Sequence, residues 1–412
     1  MKVLFLSLDF VFPPDRGLRV RSLSQLRVLA SLAAVEKITL LSLSETPVSE
    51  DRLRGLEREI PKVRAEPAVL QPTHMRRSPR HLPRLLRLRM QGVPYLIAKC
   101  DTPEMHALVA RHLSTGEYDV VYVGHLGMAA YQARARLLAP KARMVLEEHN
   151  VEWEIFDRLV PTFRFALRPA VRLETQALRR YESRVLRTVD GIIAISKADA
   201  TAFQGLAGAT ATVVPTYIEL APKREEQSDA PALAYTGLLA WQPNAQGLDW
   251  FCEKVWPLVR NRVTDATLTI AGPGLRRNPD GKLEVPAKWV MPGITTVGYV
   301  DRLEDVYRES IAMIAPIVGG SGVRMKLLES MRAGMPTVTT TDGAAGLNVE
   351  DGREMMIADD PIRFAESVVR LLSDRGLRER LRSSGYEYLE ANHSLAVARK
   401  CLEAALAMPS PE

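Results

Sequence analysis

The chain is short of several things that would point to particular chemistry. Cysteine is reduced to Cys100, Cys252 and Cys401 in 412 residues. Their wide spacing excludes a metal knuckle or a disulfide framework and suits a reduced, cytoplasmic protein. No run of about 18 apolar residues occurs, so no membrane-spanning helix is expected. Residues 1–10 are apolar enough for a secretory leader. Asp9, the prolines that follow and the lack of a small-residue cleavage site make a first buried strand the better reading. No group of acidic residues has metal-ligand spacing. Aromatic residues make up 6% of the chain, and they do not interleave with basic residues as a nucleic-acid surface requires, so no nucleic-acid partner is expected.

What is present is ordinary for a globular protein, 46% hydrophobic and 25% charged, with length enough for two domains, each with its own core. The net charge of +6 is unevenly spread. Residues 74–90 hold Arg76, Arg77, Arg80, Arg84, Arg87 and Arg89, interleaved with Leu82, Leu85, Leu86 and Leu88, and no acid. A basic amphipathic segment of this kind suits an anionic membrane surface; a solvated helix face is the plainer alternative.

The chain is organised around residues 315–341. An apolar run of strand length, 311–318, leads into Gly319, Gly320, Ser321 and Gly322. Helical spacing follows over 325–332, with Met325, Leu328 and Met331 on one face. Gly334 stands where a C-cap glycine is expected, Pro336 stops the helix, and the β-branched run 337–341 resumes as a strand. Strand, glycine turn and helix N-terminus together make an anion site, through free N–H groups and the helix dipole. Arg324 and Lys326 add positive charge that suits phosphate oxygens. Glu329 can accept hydrogen bonds from vicinal hydroxyls such as those of a ribose. These parts suggest a nucleoside diphosphate; an ordinary βαβ turn with surface charges is the alternative.

Elsewhere the pattern alternates strand and helix. Strands are expected at 2–8, 37–43, 119–123, 142–147, 191–196 and 212–214. After a linker they continue at 233–236, 266–271 and 294–297. The main helices are expected at 20–32, 103–113, 172–187, with Leu173 turned inward, 246–259, 363–372, 377–391 and 393–406. The opening β-α-β unit implies a Rossmann-like sheet, with Gly17 in the turn after its first strand. His149 falls at the carboxyl end of a strand, where open α/β sheets bind ligands. It reads either as a donor to a sugar hydroxyl or phosphate, or as a structural histidine. His125 ends another strand. Asn244 opens a helix and reads either as an amide contact to ligand or as an N-cap.

The central stretch resembles the donor-binding segment of retaining glycosyltransferases with the GT-B fold, the family 4 or group 1 type. Many members carry Glu, seven residues, Glu. Here Glu329 stands at the second position and Ser321 at the first. An exopolysaccharide-associated subset has Gly-x-x-x-Lys-x-x-Glu instead, which Gly322, Lys326 and Glu329 match. Trp241-Gln242-Pro243-Asn244 resembles that subset's Trp/Tyr-x-Pro-Asn form, and His149-Asn150-Val151-Glu152 its form around a histidine that lies against the donor sugar.

The resemblance implies an α/β GT-B fold, two Rossmann-like domains facing across a cleft. Residues 1–222 would form an acceptor domain, 223–231 a linker, 232–390 a nucleotide-sugar domain, and 391–412 a helix packing back on the first domain. It implies transfer of a sugar from a nucleotide diphosphate sugar to an acceptor hydroxyl with retention, without metal or cofactor, in polysaccharide or glycolipid synthesis. The acceptor would be a glycan or lipid-linked glycan. The enzyme would be cytoplasmic, with peripheral contact to the inner face of the cell membrane through residues 74–90. His149, Arg324 and Lys326 are the implied catalytic residues. Gly17, Asn244, Gly298, Tyr299, Gly320, Ser321, Gly322, Val323 and Glu329 are the implied donor contacts. Ser321 in place of glutamate leaves open a nucleotide-sugar epimerase on the same fold, or a non-catalytic nucleotide-sugar-binding subunit.

Overall fold

The computed structural model describes residues 1–15, 17–71, 82–116, 118–220, 230–319 and 323–407. They form two compact units, Met1–Tyr217 with Leu395–Glu412, and Ile218–Ser394.

The first unit is built on a parallel sheet. Its strands in chain order are β1 (Lys2–Ser7), β2 (Lys37–Ser44), β3 (Val63–Ala65), β4 (Val69–Leu70), β5 (Val120–Val123), β6 (Arg143–Glu148), β7 (Gly191–Ala194) and β8 (Thr212–Val213). They lie in the order β3-β2-β1-β5-β6-β7-β8, with β4 also on β2. Near-continuous apolar runs such as Val3 to Leu6 allow this, because helices cover both faces of a parallel sheet. On one face the helix Gly17–Ser31 buries Leu23, Leu26 and Leu29. The last helix, Leu395–Ala407, adds Ala398, Leu402 and Ala405 to the same core. The first unit stops at Tyr217 because Ile218 donates its N–H to the His393 carbonyl, at 2.9 Å, within the second unit.

The second unit repeats the plan with β9 (Ala232–Thr236), β10 (Thr267–Ala271), β11 (Ile294–Gly298), β12 (Ala312–Ala315), β13 (Thr337–Thr339) and β14 (Met356–Ile357), in the order β11-β10-β9-β12-β13-β14. In each sheet the chain leaves one central strand on one side and returns on the other. The switch points are β1/β5 and β9/β12, and the crevice beyond their carboxyl ends is where such sheets bind ligands.

Several elements depart from expectation for physical reasons. The helix expected over 246–259 runs from 242 to 262 and includes a π-helical turn at Phe251–Val255. Pro257 lies just beyond that turn; it has no N–H to give and its ring would crowd the carbonyl four residues back, so the wider turn keeps the helix continuous. The strand expected at 311–318 is only Ala312–Ala315, before Pro316. The strand expected over 337–341 is Thr337–Thr339, and a short helix, Thr341–Ala344, capped by Thr340, follows it. Leu173 faces solvent at 64% exposure rather than the core.

Of the basic segment, residues 74–81 lie outside the described residues. The helix Leu82–Met90 is described, and two of its arginines are spent on the unit's own acids: Arg84 on Asp101 at 2.7 Å, and Arg89 on Glu174. Among the described residues no helix is long and apolar enough to cross a membrane.

Candidate functional site

In the second unit the carboxyl ends of three strands are laced together by backbone. Gly237 donates to the Ala271 carbonyl at 3.2 Å, and Gly272 donates to that of Gly298 at 2.7 Å. The approach is close enough that a Cβ on Gly272 would lie 1.8 Å from the Gly237 carbonyl oxygen. Beside this edge, the loop after β12 is fastened from β13 and the helix behind it. Thr339 donates to the Ala315 carbonyl at 2.8 Å, Thr340 to that of Ile317 at 2.5 Å, and Asp342 accepts the Gly319 N–H at 2.7 Å. The helix starting at residue 242 presses on the same loop: a Cβ on Gly247 would fall 1.6 Å from the Pro316 carbonyl oxygen.

This scaffold positions the basic residues. Arg324 is the N-cap residue of the helix Met325–Arg332. It is buried, donates to the Gly319 carbonyl at 3.2 Å, and lies over the Trp241 ring at 5.9 Å from its centroid. Two residues on, Lys326 Nζ donates to Asn244 Oδ1 at 2.9 Å and to the Tyr235 hydroxyl at 3.1 Å, and sits 4.5 Å from that ring's centroid. The Asn244 amide completes its own pairing by donating to the Leu238 carbonyl at 2.9 Å. Asn244 is thus inside the first helical turn, with Trp241 as the N-cap residue, and does not cap the helix.

Neither partner of Lys326 carries a formal charge. Burial, reinforced by Arg324, brings the Lys326 ammonium down to a pKa of about 7. Burial likewise pushes the Glu329 carboxyl up to about 7, with Glu304 adding to the rise and Arg332 and Lys326 opposing it. The two groups that hold the Lys326 amine are thus neutral, and Glu329 is the acid that opposes the fall in its pKa. Gly298, in the left-handed region at φ 71°, and exposed Tyr299 end β11 along the same edge. Val323 is half-buried just ahead of Arg324. Gly320, Ser321 and Gly322 lie outside the described residues.

In the first unit His149 follows β6 and is nearly enclosed. Its Nε2 is 3.8 Å from Glu147 Oε1, and its ring meets that of His125 edge-on at 5.4 Å between centroids. Burial lowers the His149 pKa, with His125 and Arg21 adding to the effect and Glu147 opposing it, so the ring is neutral near pH 7. Glu147 is fully buried. Burial would raise its pKa, but Arg21, His149 and Tyr122 bring it down to about 2. Arg21 Nε reaches Glu147 at 2.5 Å, while its other nitrogens donate to Thr216 Oγ1 at 3.1 Å and the Val214 carbonyl at 2.9 Å. Tyr122 donates to Glu147 at 2.9 Å. His125 pairs with Glu152 at 3.2 Å. Gly17 stands apart from this cluster, exposed at the start of the first helix.

The structure therefore brings Asn244, Arg324 and Lys326 together on one edge of the second unit. It sets His149 among the buried side chains of Arg21, His125 and Glu152, and of Tyr122 and Glu147, which motif reading did not single out. A signal for them existed in Glu147-Glu148, two carboxylates ending an apolar strand, which must find cations, donors or protons. Among the described residues no group of His, Cys, Asp and Glu side chains is arranged to hold a metal ion.

Two units, each built on a parallel α/β sheet with its own switch point, have the architecture of the GT-B fold. A family model for glycosyltransferase family 4 matches residues 37–221, and one for glycosyl transferases group 1 matches residues 230–374. The chain belongs to these glycosyltransferases. Over 306 residues it is 25% identical to a phosphatidyl-myo-inositol mannosyltransferase of Mycobacterium leprae, covering 69% of this chain and 72% of that one. Over 163 residues it is 27% identical to an uncharacterized 44.6 kDa protein of the cps region of Klebsiella pneumoniae. That match takes in 39% of this chain and only 42% of that protein's length. Among solved structures, Anabaena HepE in complex with UDP and glucose superposes with a TM-score of 0.65 over 99% of both chains, at 14% identity. That likeness is one of fold.

Proposed function

We propose that the protein transfers a sugar from a nucleotide diphosphate sugar to an acceptor hydroxyl with retention and without a metal, in polysaccharide or glycolipid synthesis. The observation that carries this reading is the Lys326 amine, suspended between Asn244 and Tyr235 at the end of β9, next to Arg324. Leaving-group charge develops on the diphosphate as the glycosidic bond breaks. Cations already in place when that happens lower the barrier. Lys326 and Arg324 would hold the diphosphate, with Val323 beside it. Glu329 would accept the ribose hydroxyls, and the backbone at Gly298 and Tyr299 would receive the base. His149, neutral, would donate to a hydroxyl of the sugar, and Gly17 would lie near the phosphates. The departing diphosphate would take the acceptor's proton.

HepE is described in complex with UDP, which makes UDP the first diphosphate to try. The mannosyltransferase relative, named for a phosphatidylinositol acceptor, supports a lipid-linked acceptor at the inner face of the cell membrane. The test is a thermal-shift series with UDP, GDP, ADP and TDP on wild type, Lys326→Ala and Glu329→Ala. A ligand at one hundred times its Kd stabilises by about 2.7 kcal/mol. Stabilisation of wild type by one diphosphate, lost in both variants, supports the assignment; no response to any diphosphate rejects it. The anomeric configuration of the product, read by NMR, tests retention.

A further inference from the structure

We propose that residues 163–173, with the outer side of the helix Arg168–Leu186, dock the first unit onto an anionic lipid bilayer. The idea extends the reading of a lipid-linked acceptor to a surface outside residues 74–90.

Four large apolar side chains are exposed within eleven residues: Phe163, Phe165, Leu167 and Leu173, with Phe165 exposed at 84%. Single exposed hydrophobics are ordinary, but a cluster of them marks an interaction surface. The cluster is held in place. Arg168 donates to the carbonyls of Phe163 at 3.1 Å and Pro161 at 2.7 Å, and its guanidinium sits 5.9 Å from the Phe165 ring centroid. This clamp fixes the turn with its aromatic ring outward.

On the outer side of the helix Arg168–Leu186 the charge has one sign, while on the preceding helix, Glu152–Leu159, Glu154 is paired with Arg158 and Asp157 is exposed. The Arg168–Leu186 helix carries two acids, and both are occupied within the unit. Glu174 accepts from the Tyr95 N–H and pairs with Arg89, and buried Glu182 accepts the N–H groups of Glu152 and Trp153, each at 3.1 Å. The exposed positions are left to arginine: Arg172 beside the apolar cluster, then Arg179, Arg180, Arg184 and Arg187, which line an open groove of about 720 Å³. The Glu174–Arg89 pair also places the helix Leu82–Met90 alongside, ending in Met90 at 89% exposure.

Apolar side chains that enter the boundary of headgroups and acyl chains, backed by arginines over anionic headgroups, make up an interfacial membrane contact. A soluble polyanion would use the arginines and leave the aromatic and leucine side chains idle. The segment follows β6 and His149 by way of the helix Glu152–Leu159, so docking here would hold the first unit, with the β6 edge, near an acceptor lodged in the bilayer.

The test is co-sedimentation of the full chain with vesicles of phosphatidylcholine, and with vesicles containing about a third phosphatidylglycerol. Binding is expected to the second only. The Phe165→Ser/Leu167→Ser/Leu173→Ser variant should bind at least roughly tenfold more weakly with an unchanged melting temperature. Arg180→Gln/Arg184→Gln/Arg187→Gln should weaken binding by on the order of a hundredfold, in a salt-sensitive way. Three results overturn the proposal. One is binding unaffected by either variant, and another is retention on heparin without vesicle binding. The third is loss of binding only in Arg76→Gln/Arg77→Gln/Arg80→Gln, which would assign the contact to residues 74–90 alone. Thermal stabilisation by UDP, measured on the same variants, reports the donor site separately, so failure of one reading leaves the other standing.

Discussion

Lys326 Nζ donates to Asn244 Oδ1 at 2.9 Å, although 82 residues separate the two in the chain. The bond joins the helix after β9 to the helix after β12 across the switch point of the second sheet. It also orients the amine through a neutral partner.

Replacing that amine should therefore disable the chemistry more than the fold. Lys326→Ala is expected to lower turnover by roughly a hundredfold to a thousandfold, as when one donor to a developing oxyanion is lost. Asn244→Ala should give a smaller loss, because Tyr235 still holds the amine. Single-turnover kinetics with excess donor measure both; wild-type turnover in Lys326→Ala would reject the role given to it.

Diphosphate binding should depend on pH through the same group. Free Lys326 loses its proton as pH rises through about 7. A bound anion favours the ammonium and raises that pKa, so above about pH 7 binding takes up a proton and affinity falls with rising pH. Glu329 ionises near the same pH and adds repulsion of the same sign. Calorimetry in buffers of different ionisation enthalpy should show proton uptake in wild type, less in Glu329→Gln, and least in Lys326→Ala.

The loop after β12 should be intolerant of bulk beneath it. A methyl group at Gly247 would sit 1.6 Å from the Pro316 carbonyl oxygen, a backbone atom that cannot swing away. Gly247→Ala is expected to destabilise the second unit by about 3 kcal/mol or more, the upper end for overpacking. Urea unfolding checks this. Gly205→Ala is a fitting control, since a Cβ there meets nothing within 4 Å.

Arg21 should matter for stability. It is the principal cation holding Glu147 ionised in a fully buried position. Arg21→Met strands that carboxylate and should cost about 3–5 kcal/mol. The Arg21→Met/Glu147→Gln pair should recover part of this, measured as a double-mutant cycle.

Glu182 should give the first unit a stability that declines with pH. Burial and the neighbouring Glu152 hold its pKa well above the 4.5 of a free glutamate. The folded chain keeps a proton that the unfolded chain releases, so this contribution is full below about pH 4.5 and is lost as pH rises toward the folded pKa. Glu182→Gln stays neutral and can still accept hydrogen bonds. Its urea midpoint should fall less between about pH 5 and 8, with the remaining slope due partly to Glu148, which is raised by burial and the charges of Glu182 and Glu152. Equal slopes in variant and wild type would reject the assignment.

Much of the fold was legible because it rests on local rules. The helix expected over 325–332 is Met325–Arg332, followed by Gly334 at φ 63°. Most strands end within a few residues of where their apolar runs do. Leu173 was misplaced because helical spacing does not say whether a neighbouring element covers a residue, and among the described residues none does. The π-helical turn was hidden because apolar spacing carries the helix through Pro257 without showing how the missing N–H is accommodated; the wider turn at Phe251, Cys252 and Val255, all packed in the core, does so. The candidate site was half legible. Lys326, Arg324 and Glu329 follow from a glycine turn and a helix start, while the cluster around His149 depends on residues far apart in the chain.

By itself, the sequence determined the order of strands and helices, the glycines where backbones meet, and the basic residues at the head of one helix. Each of these follows from backbone sterics or from the period of apolar residues over a few positions. Only the tertiary structure decided which polar groups face one another: Lys326 with Asn244 and Tyr235, Arg21 with Glu147 and Thr216, Glu182 with the start of the helix Glu152–Leu159. Strand order sets those meetings, and burial then sets each group's charge, because the cost of ionisation depends on how much water and which opposite charges remain around it.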